Sequence, residues 1–258
     1  MQELNELPFE LRNLKKIEKL YYCGNLKLLD SKKITIVGSR NPNPYAQNFT
    51  REIASKIAQK GGVVISGGAL GVDIIAHRAA LPNTIMISPS SLDIIYPKNN
   101  KSIIERIYKE ALILSQFAPS FMPKPYSFLE RNKIVISLGE CVIIPQADLE
   151  SGSMQSANFA LKLNKKVFVP PHRIGESKGT QKLIKEGKAK IIFDTDEFVE
   201  EYFKDSISTA KSAQKDELLE FCKSNPFFEE AYLHFGEKVF EYELEGKIIR
   251  KNGRLEAL

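Results

Sequence analysis

The sequence predicts an α/β protein: a parallel sheet with helices on both faces, followed by a small C-terminal winged-helix-like module. Three observations predict it. Short β-rich runs alternate with stretches of helical periodicity from residue 33 to about residue 198. A polar, small-residue tract, DSISTAKSAQ at 205–214, then interrupts the pattern. Beyond it, three short helical patterns lead into an Asn-Gly pair, the strongest short hairpin signal. Repeated strand–helix alternation favours parallel pairing, because each crossover helix must pack back on the sheet.

The elements follow in order. Residues 1–30 read as a short helical extension centred on Leu11 to Tyr22. Ile34 to Val37 is a buried-strand pattern ended by Gly38, and Tyr45 to Gln59 carries Phe49, Ile53, Ile57 and Ala58 at helical spacing. Val63 to Ile65 is the next strand, and Val72 to Ala80 the next helix. Thr84 to Ile87, Ala111 to Leu114, Cys141 to Ile144, Val167 to Val169 and Ile191 to Phe193 read as further strands. Helical stretches near Ser102–Tyr108, Phe128–Leu138, Met154–Leu163 and Gln181–Glu186 lie between them. The resulting organisation is a sheet domain over 31–204, a linker over 205–214 and a terminal module over 215–258. In the module, Asp216 can cap a helix through Phe221, with further helices over Glu229–Phe235 and Lys238–Leu244 and a turn at Asn252-Gly253.

Composition excludes several classes of function. With 43% apolar and 27% charged residues, the chain is an ordinary globular protein, not a disordered one. No apolar run approaches the roughly 20 residues that cross a bilayer; the richest, Cys141 to Ile144, stops at Pro145. The N-terminus, MQELNELPFE, is acidic and polar, unlike a secretory signal. Cys23, Cys141 and Cys222 are scattered and odd in number, as are the three histidines. They fit neither a disulfide framework nor a zinc site, so a reducing, cytoplasmic setting without metal or cofactor is expected. The net charge of +5 is uneven: residues 1–214 carry +8 and residues 215–258 carry −3. A polyanionic partner should therefore meet the first part of the chain, although surface lysines that merely solubilise the domain would give the same sum.

Chemistry concentrates in three glycine-bearing loops, each after a strand and before a helix. They are Gly38-Ser39-Arg40, Ser66-Gly67-Gly68-Ala69-Leu70-Gly71, and Glu150-Ser151-Gly152-Ser153-Met154. Glycine lets backbone N–H groups approach an anion, and the following helix start adds partial positive charge. Any one of them alone would be an ordinary tight turn; three on one rim, with arginines, make a phosphate-binding surface. None is a nucleotide fingerprint, since both G-x-x-x-x-G-K-[ST] and G-x-G-x-x-G are missing. The basic residues expected at this rim are Arg40, Arg51, Arg131 and Lys133. Asp73 and His77, at i and i+4, could form an acid–base pair, but a structural hydrogen bond is the commoner outcome. Phe121, Tyr126 and Phe128 could stack on exposed bases or pack a proline-stiffened loop.

The order of these motifs is specific. Gly38-Ser39-Arg40, SGGALGVDIIAH (66–77), LDIIYPKNN (92–100), RNKIVISL (131–138), SGSMQSA (151–157) and GTQKLIKEG (179–187) together resemble the DNA-processing protein A (DprA/Smf) family. The resemblance covers about residues 30–195, and the terminal module is similar to that family's C-terminal domain. It implies an extended Rossmann-like fold, a homodimer, and binding of single-stranded DNA with weaker binding of double-stranded DNA. It further implies protection of incoming DNA and loading of the RecA recombinase in natural transformation, by a binding protein and not an enzyme. Carried over by position, the DNA-contacting residues are Ser39, Arg40, Gly67, Gly68, Arg131, Lys133, Ser151 and Gly152; Arg51 joins them on charge alone. Gln116, Gln146 and Ser91 depart from the acidic or glycine residues usual at those places. The enzyme alternative is a nucleoside-monophosphate phosphoribohydrolase, whose related loop ends in a glutamate. Here Ala157 stands at that position and offers no titratable group.

Overall fold

The computed structural model describes residues 2–12, 14, 17–213, 217–244 and 246–257. The chain forms two compact units, Met1–Val199 and Glu200–Leu258.

In the first unit, β3 (Lys33–Ile36), β4 (Val63–Ser66), β5 (Thr84–Ile87), β6 (Leu112–Ser115), β7 (Cys141–Ile143), β8 (Lys166–Val169) and β9 (Lys190–Ile191) all run parallel. The intervening helices are α1 (Pro44–Gln59), α2 (Val72–Ala80), α3 (Lys101–Glu110), α4 (Pro125–Leu138), α5 (Gly152–Lys162) and α6 (Lys178–Lys185). Strands β3 to β6 are buried at every position, which is why Val, Ile and Leu dominate them, with Thr and Ser whose hydroxyls bond to backbone carbonyls. Helix α1 starts where Asn43 accepts a hydrogen bond from Ala46 N–H and Pro44 supplies the first turn. It lays Phe49, Ile53 and Ile57 against the sheet. With β1 (Gln2–Glu3) and β2 (Tyr21–Gly24) at one edge, the sheet order among the described residues is β1-β2-β6-β5-β4-β3-β7-β8-β9.

Two strands correct the expectation for residues 1–30. The segment is not a helical extension: β1 (Gln2–Glu3) pairs with β2 (Tyr21–Gly24), and β2 adds antiparallel to the edge of β6. The run Tyr21-Tyr22-Cys23 is β-prone, and the open edge of β6 rewards extended backbone with four paired positions. Leu11, from a single 3-10 turn at Phe9–Leu11, and Leu20 are both fully buried in the core of this unit.

The tract expected to be a linker continues α7 (Thr195–Ala213); residue 214 lies outside the described residues, as does the Asp216 cap. In the second unit, α8 (Glu217–Cys222), α9 (Phe228–Phe235) and α10 (Lys238–Leu244) precede the hairpin β10 (Ile248–Lys251) and β11 (Arg254–Ala257). Its turn places Asn252 and Gly253 at φ of 52° and 76°, the two left-handed positions that an Asn-Gly turn favours. Leu218, Cys222, Ala231, Val239, Ile248 and Leu255 form this unit's own core.

Candidate nucleic-acid interface

The sheet order reverses direction at β3: the chain first builds outward through β4, β5 and β6, then returns to add β7 on the other side. The two crossovers leave β3 and β7 on opposite faces, so a crevice opens beyond their carboxyl ends, the usual ligand position in such sheets. A cleft of about 370 Å³ lies there, walled by Gly38–Asn41, Ala69, Asp73, Arg131, Asn132 and the start of α5.

The loop after β3 is stitched to its neighbours. Ser39 N–H donates to Gln146 C=O at 2.8 Å, and Val72 N–H donates to Ser39 C=O at 3.1 Å. Gly71, at φ of +77°, brings the start of α2 so close that a Cβ there would overlap Ser39 and Arg40 carbonyl oxygens. The third loop ends in a cap: Ser151 Oγ accepts from Met154 N–H at 3.3 Å and donates to Asp148 C=O at 2.7 Å. Gly152, exposed and with open space at its Cβ position, begins α5, whose first-turn N–H groups border the cleft. Ser153 and Ser156 line the same wall.

Beneath the rim sits a buried charge cluster. Arg131 is only 3% exposed. Its Nη1 donates to Gly67 C=O, and to Ile87 C=O at 3.3 Å. A Cβ at Gly67 would overlap this guanidinium, so glycine at 67 makes room for Arg131 rather than for an anion. Burial depresses the Arg131 pKa while Asp73 opposes the shift, and burial raises Asp73 while Arg131 is the largest opposing influence. The guanidinium stays charged, because arginine is not deprotonated in proteins. Ala69 N–H donates to Asp73 Oδ2 at 3.4 Å, which ties the carboxylate to the second glycine loop. Asp73 and His77 do not pair with each other: His77 Nδ1 meets Thr84 Oγ1 at 2.7 Å. Burial, with Arg131 second, pushes the His77 pKa down to about 3, so the ring is neutral. The acid–base reading of that pair has no geometry to support it.

The structure gathers Ser39, Arg40, Arg131, Ser151 and Gly152 around one cleft. Gly67 and Gly68 are buried beneath it; Gly68, at φ of +72°, packs against Met86 and offers its carbonyl to Asn100 Nδ2 at 2.9 Å. Arg40 is exposed and makes no ion pair among the described residues; its guanidinium lies 6.0 Å from the Phe128 ring centroid. Arg40, Tyr96 and Phe128 also border a small adjoining cavity of about 80 Å³. Phe121 is committed elsewhere, stacked on Phe117 at 4.2 Å, whereas Tyr126 is half exposed. Lys133 lines a neighbouring groove between α4 and α5, where it pairs with Glu130 at 3.0 Å. Asn132 and Ser156 border both groove and cleft, so the two are continuous. Arg51 is not brought to the cleft: it lies two turns along α1, bonded to Asn48 at 2.8 Å. Asn41, Asn132 and Ser156 are cleft residues that the sequence does not single out, whereas Ser153 belongs to the third glycine loop already noted. Each stands within or beside a motif already noted, which is the signal that would have found them. Among the described residues no three His, Cys, Asp or Glu side chains are grouped to hold a metal, and no helix is long and apolar enough to cross a membrane.

Residues 2–203 match the family model for DNA recombination-mediator protein A. The DNA processing protein DprA of Bacillus subtilis is 32% identical over 203 residues, which cover 76% of this chain and 68% of that protein. The Streptococcus pneumoniae DprA is 36% identical over 178 residues, 67% of this chain and 62% of that one. This chain therefore spans about two thirds or less of either relative's length. Among solved structures, the DNA processing protein A of Helicobacter pylori, described for its single-stranded DNA binding mode, superposes with a TM-score of 0.78. It is 49% identical, covering 79% of this chain and 96% of that chain.

Proposed function

This chain belongs to the DNA recombination-mediator protein A family, and on that premise we propose that it binds single-stranded DNA along the β3/β7 cleft. The observation that carries the reading is the cleft's polarity. One wall has the free N–H groups of the α5 start, the hydroxyls of Ser39 and Ser153, and an exposed Arg40 with no ion pair among the described residues. Such groups hold phosphates and read no sequence. Arg40 grips phosphate directly, while Arg131, already bonded to Gly67 and Ile87, supplies fixed positive charge from below. The strand continues into the α4–α5 groove past Lys133, and Tyr96 and Phe128 offer aromatic surface to a base beside Arg40.

The finer activities belong to the same proposal: weaker binding of duplex, protection of incoming strands, and loading of RecA by a homodimer in the cytoplasm during natural transformation. They rest on family membership, and nuclease protection and co-sedimentation with RecA test them. We read the protein as a binder without catalysis. Ala157, at the place a phosphoribohydrolase has its glutamate, is fully buried in α5, and the cleft's Asp73 is taken up with Arg131 and Ala69.

Fluorescence anisotropy with single-stranded and duplex oligonucleotides over a salt series tests the reading. Neutralising three or four phosphates gives a log–log slope of about −2 to −3 for a single strand. Weak binding to both DNAs with strong competition by AMP would replace the reading with a nucleotide-handling one.

A further inference from the structure

A second cavity, of about 440 Å³, lies beside the cleft, and its walls carry a different chemistry. Asn43, Pro44 and Tyr45 at the start of α1 form one side, and Pro171, Arg173 and Glu176 of the β8–α6 loop form the other. Gln146 stands between this cavity and the cleft. Its Oε1 accepts from Asn43 N–H at 2.8 Å, and its Nε2 donates to Glu176 C=O at 3.5 Å. An amide can do both; a carboxylate at 146 could only accept. Asn41 borders the cleft and Asn43 borders the second cavity. Two residues of chain reach at most ~7 Å, so the walls of the two cavities meet along this short stretch.

Three side chains define what the cavity holds. Tyr45 is 43% exposed and packs nearly perpendicular to the His172 ring at 5.2 Å. His172, with its side chain fully buried, is pinned by a 2.7 Å hydrogen bond from Nε2 to Pro145 C=O. Glu176 Oε2 accepts from Arg173 N–H at 3.3 Å, which fixes the loop. The Tyr45 phenol is pushed up first by burial and then by the Glu176 charge, so the carboxylate is within Coulombic reach of the ring. The Arg173 guanidinium is exposed and has no ion pair among the described residues.

We propose that this cavity receives one base of the bound strand and favours guanine. Tyr45 provides a ring face for stacking, which any base can use. Selection comes from Glu176, an acceptor-only group. Guanine presents two adjacent donors, N1–H and N2–H, that a carboxylate can take together. Adenine and cytosine present a single amino group, and thymine presents one N–H between two carbonyls that repel the carboxylate. Arg173 stands where it can hold the flanking phosphate. The proposal rests on the reading that a strand occupies the cleft, and adds a base preference at one position to otherwise sequence-tolerant binding.

Anisotropy with the full-length protein tests it, using all-dT oligonucleotides and the same strands carrying one central dG, dA or dC. One dG should tighten binding about fivefold over all-dT, the low end for a two-point contact at a half-exposed site. Glu176→Gln should abolish that preference, and Tyr45→Leu should weaken all four strands, keep the dG preference and leave the melting temperature unchanged. Arg40→Ala should weaken all four strands equally and keep their ratio. Equal affinity of the parent for the four strands, or a dG preference that survives Glu176→Gln, overturns the proposal. If no strand binds at all, the cleft reading fails, and this one with it.

Discussion

Replacing Arg131 by methionine separates scaffold from contact. The methionine fills much of the same volume but removes the guanidinium that donates to Gly67 and Ile87 carbonyls and faces Asp73. Orphaning one buried acceptor costs about 1–3 kcal/mol, and Arg131→Met orphans two carbonyls while also removing the cation whose field favours the Asp73 carboxylate from beyond ion-pair distance. These overlap, so Arg131→Met should destabilise the first unit by about 3–5 kcal/mol. For a unit of this size the melting temperature should fall by roughly 6–20 °C. The deficit should depend on pH. Asp73 titrates above its ordinary value in the fold, so the folded protein holds a proton there more readily than the unfolded chain. Stability therefore falls as pH rises through that raised value. Losing Arg131 raises it further, so the deficit should shrink as pH falls. Asp73→Asn in the same chain removes the stranded charge and should recover a third or more of the loss, a coupling expected of groups in one network. Calorimetry of the parent, both single variants and the double variant at pH 5 to 8 reads all of this. A deficit under about 1 kcal/mol at pH 7, or a double variant no more stable than Arg131→Met, would refute this account of the buried charges.

Other outcomes follow from the same geometry. Arg40→Ala should leave the melt unchanged, weaken single-strand binding about tenfold, and make the salt slope shallower by about 0.7; an unaltered slope removes Arg40 from the site. Lys133→Glu should also weaken binding, to all sequences alike, because its groove continues the cleft past Asn132; unchanged affinity at low salt would end the strand path at the cleft. Gly71→Ala should abolish binding, since a Cβ there meets the Ser39–Arg40 backbone and alanine disfavours φ of +77°; wild-type affinity would show that the loop relaxes freely. His77 is neutral in the fold with a pKa of about 3 against 6.5 unfolded, so the unfolded chain takes up the proton first as pH falls. The parent should lose about 2 kcal/mol between pH 6.5 and 5 from this residue alone, a loss that His77→Gln should not show in paired melts. Deleting 215–258 should leave DNA affinity within about twofold at matched salt, because that stretch carries a net charge of −3; a collapse in affinity would place the terminal module on the DNA.

What was legible in the sequence depended on whether one local pattern had one structural meaning. The helix Val72–Ala80 and strand Thr84–Ile87 were read to the residue, because Gly71 opens the one and continuous burial marks the other. The Asn252-Gly253 turn was equally plain. The N-terminal strands were not, because β2 owes its conformation to the unpaired edge of β6, ninety residues away. Arg131 was legible as a functional-rim arginine, yet nothing local shows that it is buried or that Gly67 is small to admit it. Arg51 and Arg40 looked alike as charges near a loop; only helix geometry turns Arg51 away along α1 towards Asn48.

That distinction bears on how the cleft would hold a flexible polyanion, as proposed. A site that grips phosphates with mobile surface lysines loses side-chain entropy at each contact. Here the positive potential comes from parts that are already ordered, the start of α5 and a guanidinium locked by two carbonyls, and the Ser39–Gln146 and Val72–Ser39 backbone bonds hold the loop that carries Arg40. The exposed Arg40 then acts against a preset field. Asp73 lowers the cost of burying Arg131 and offsets part of its field at the cleft, which leaves Arg40 as the exposed cation there. Stability and binding should thus be carried by different residues of one loop cluster: Arg131 and Gly67 below, Arg40 and Ser39 above. A variant of the lower pair should lose both properties together, whereas a variant of Arg40 should lose binding alone.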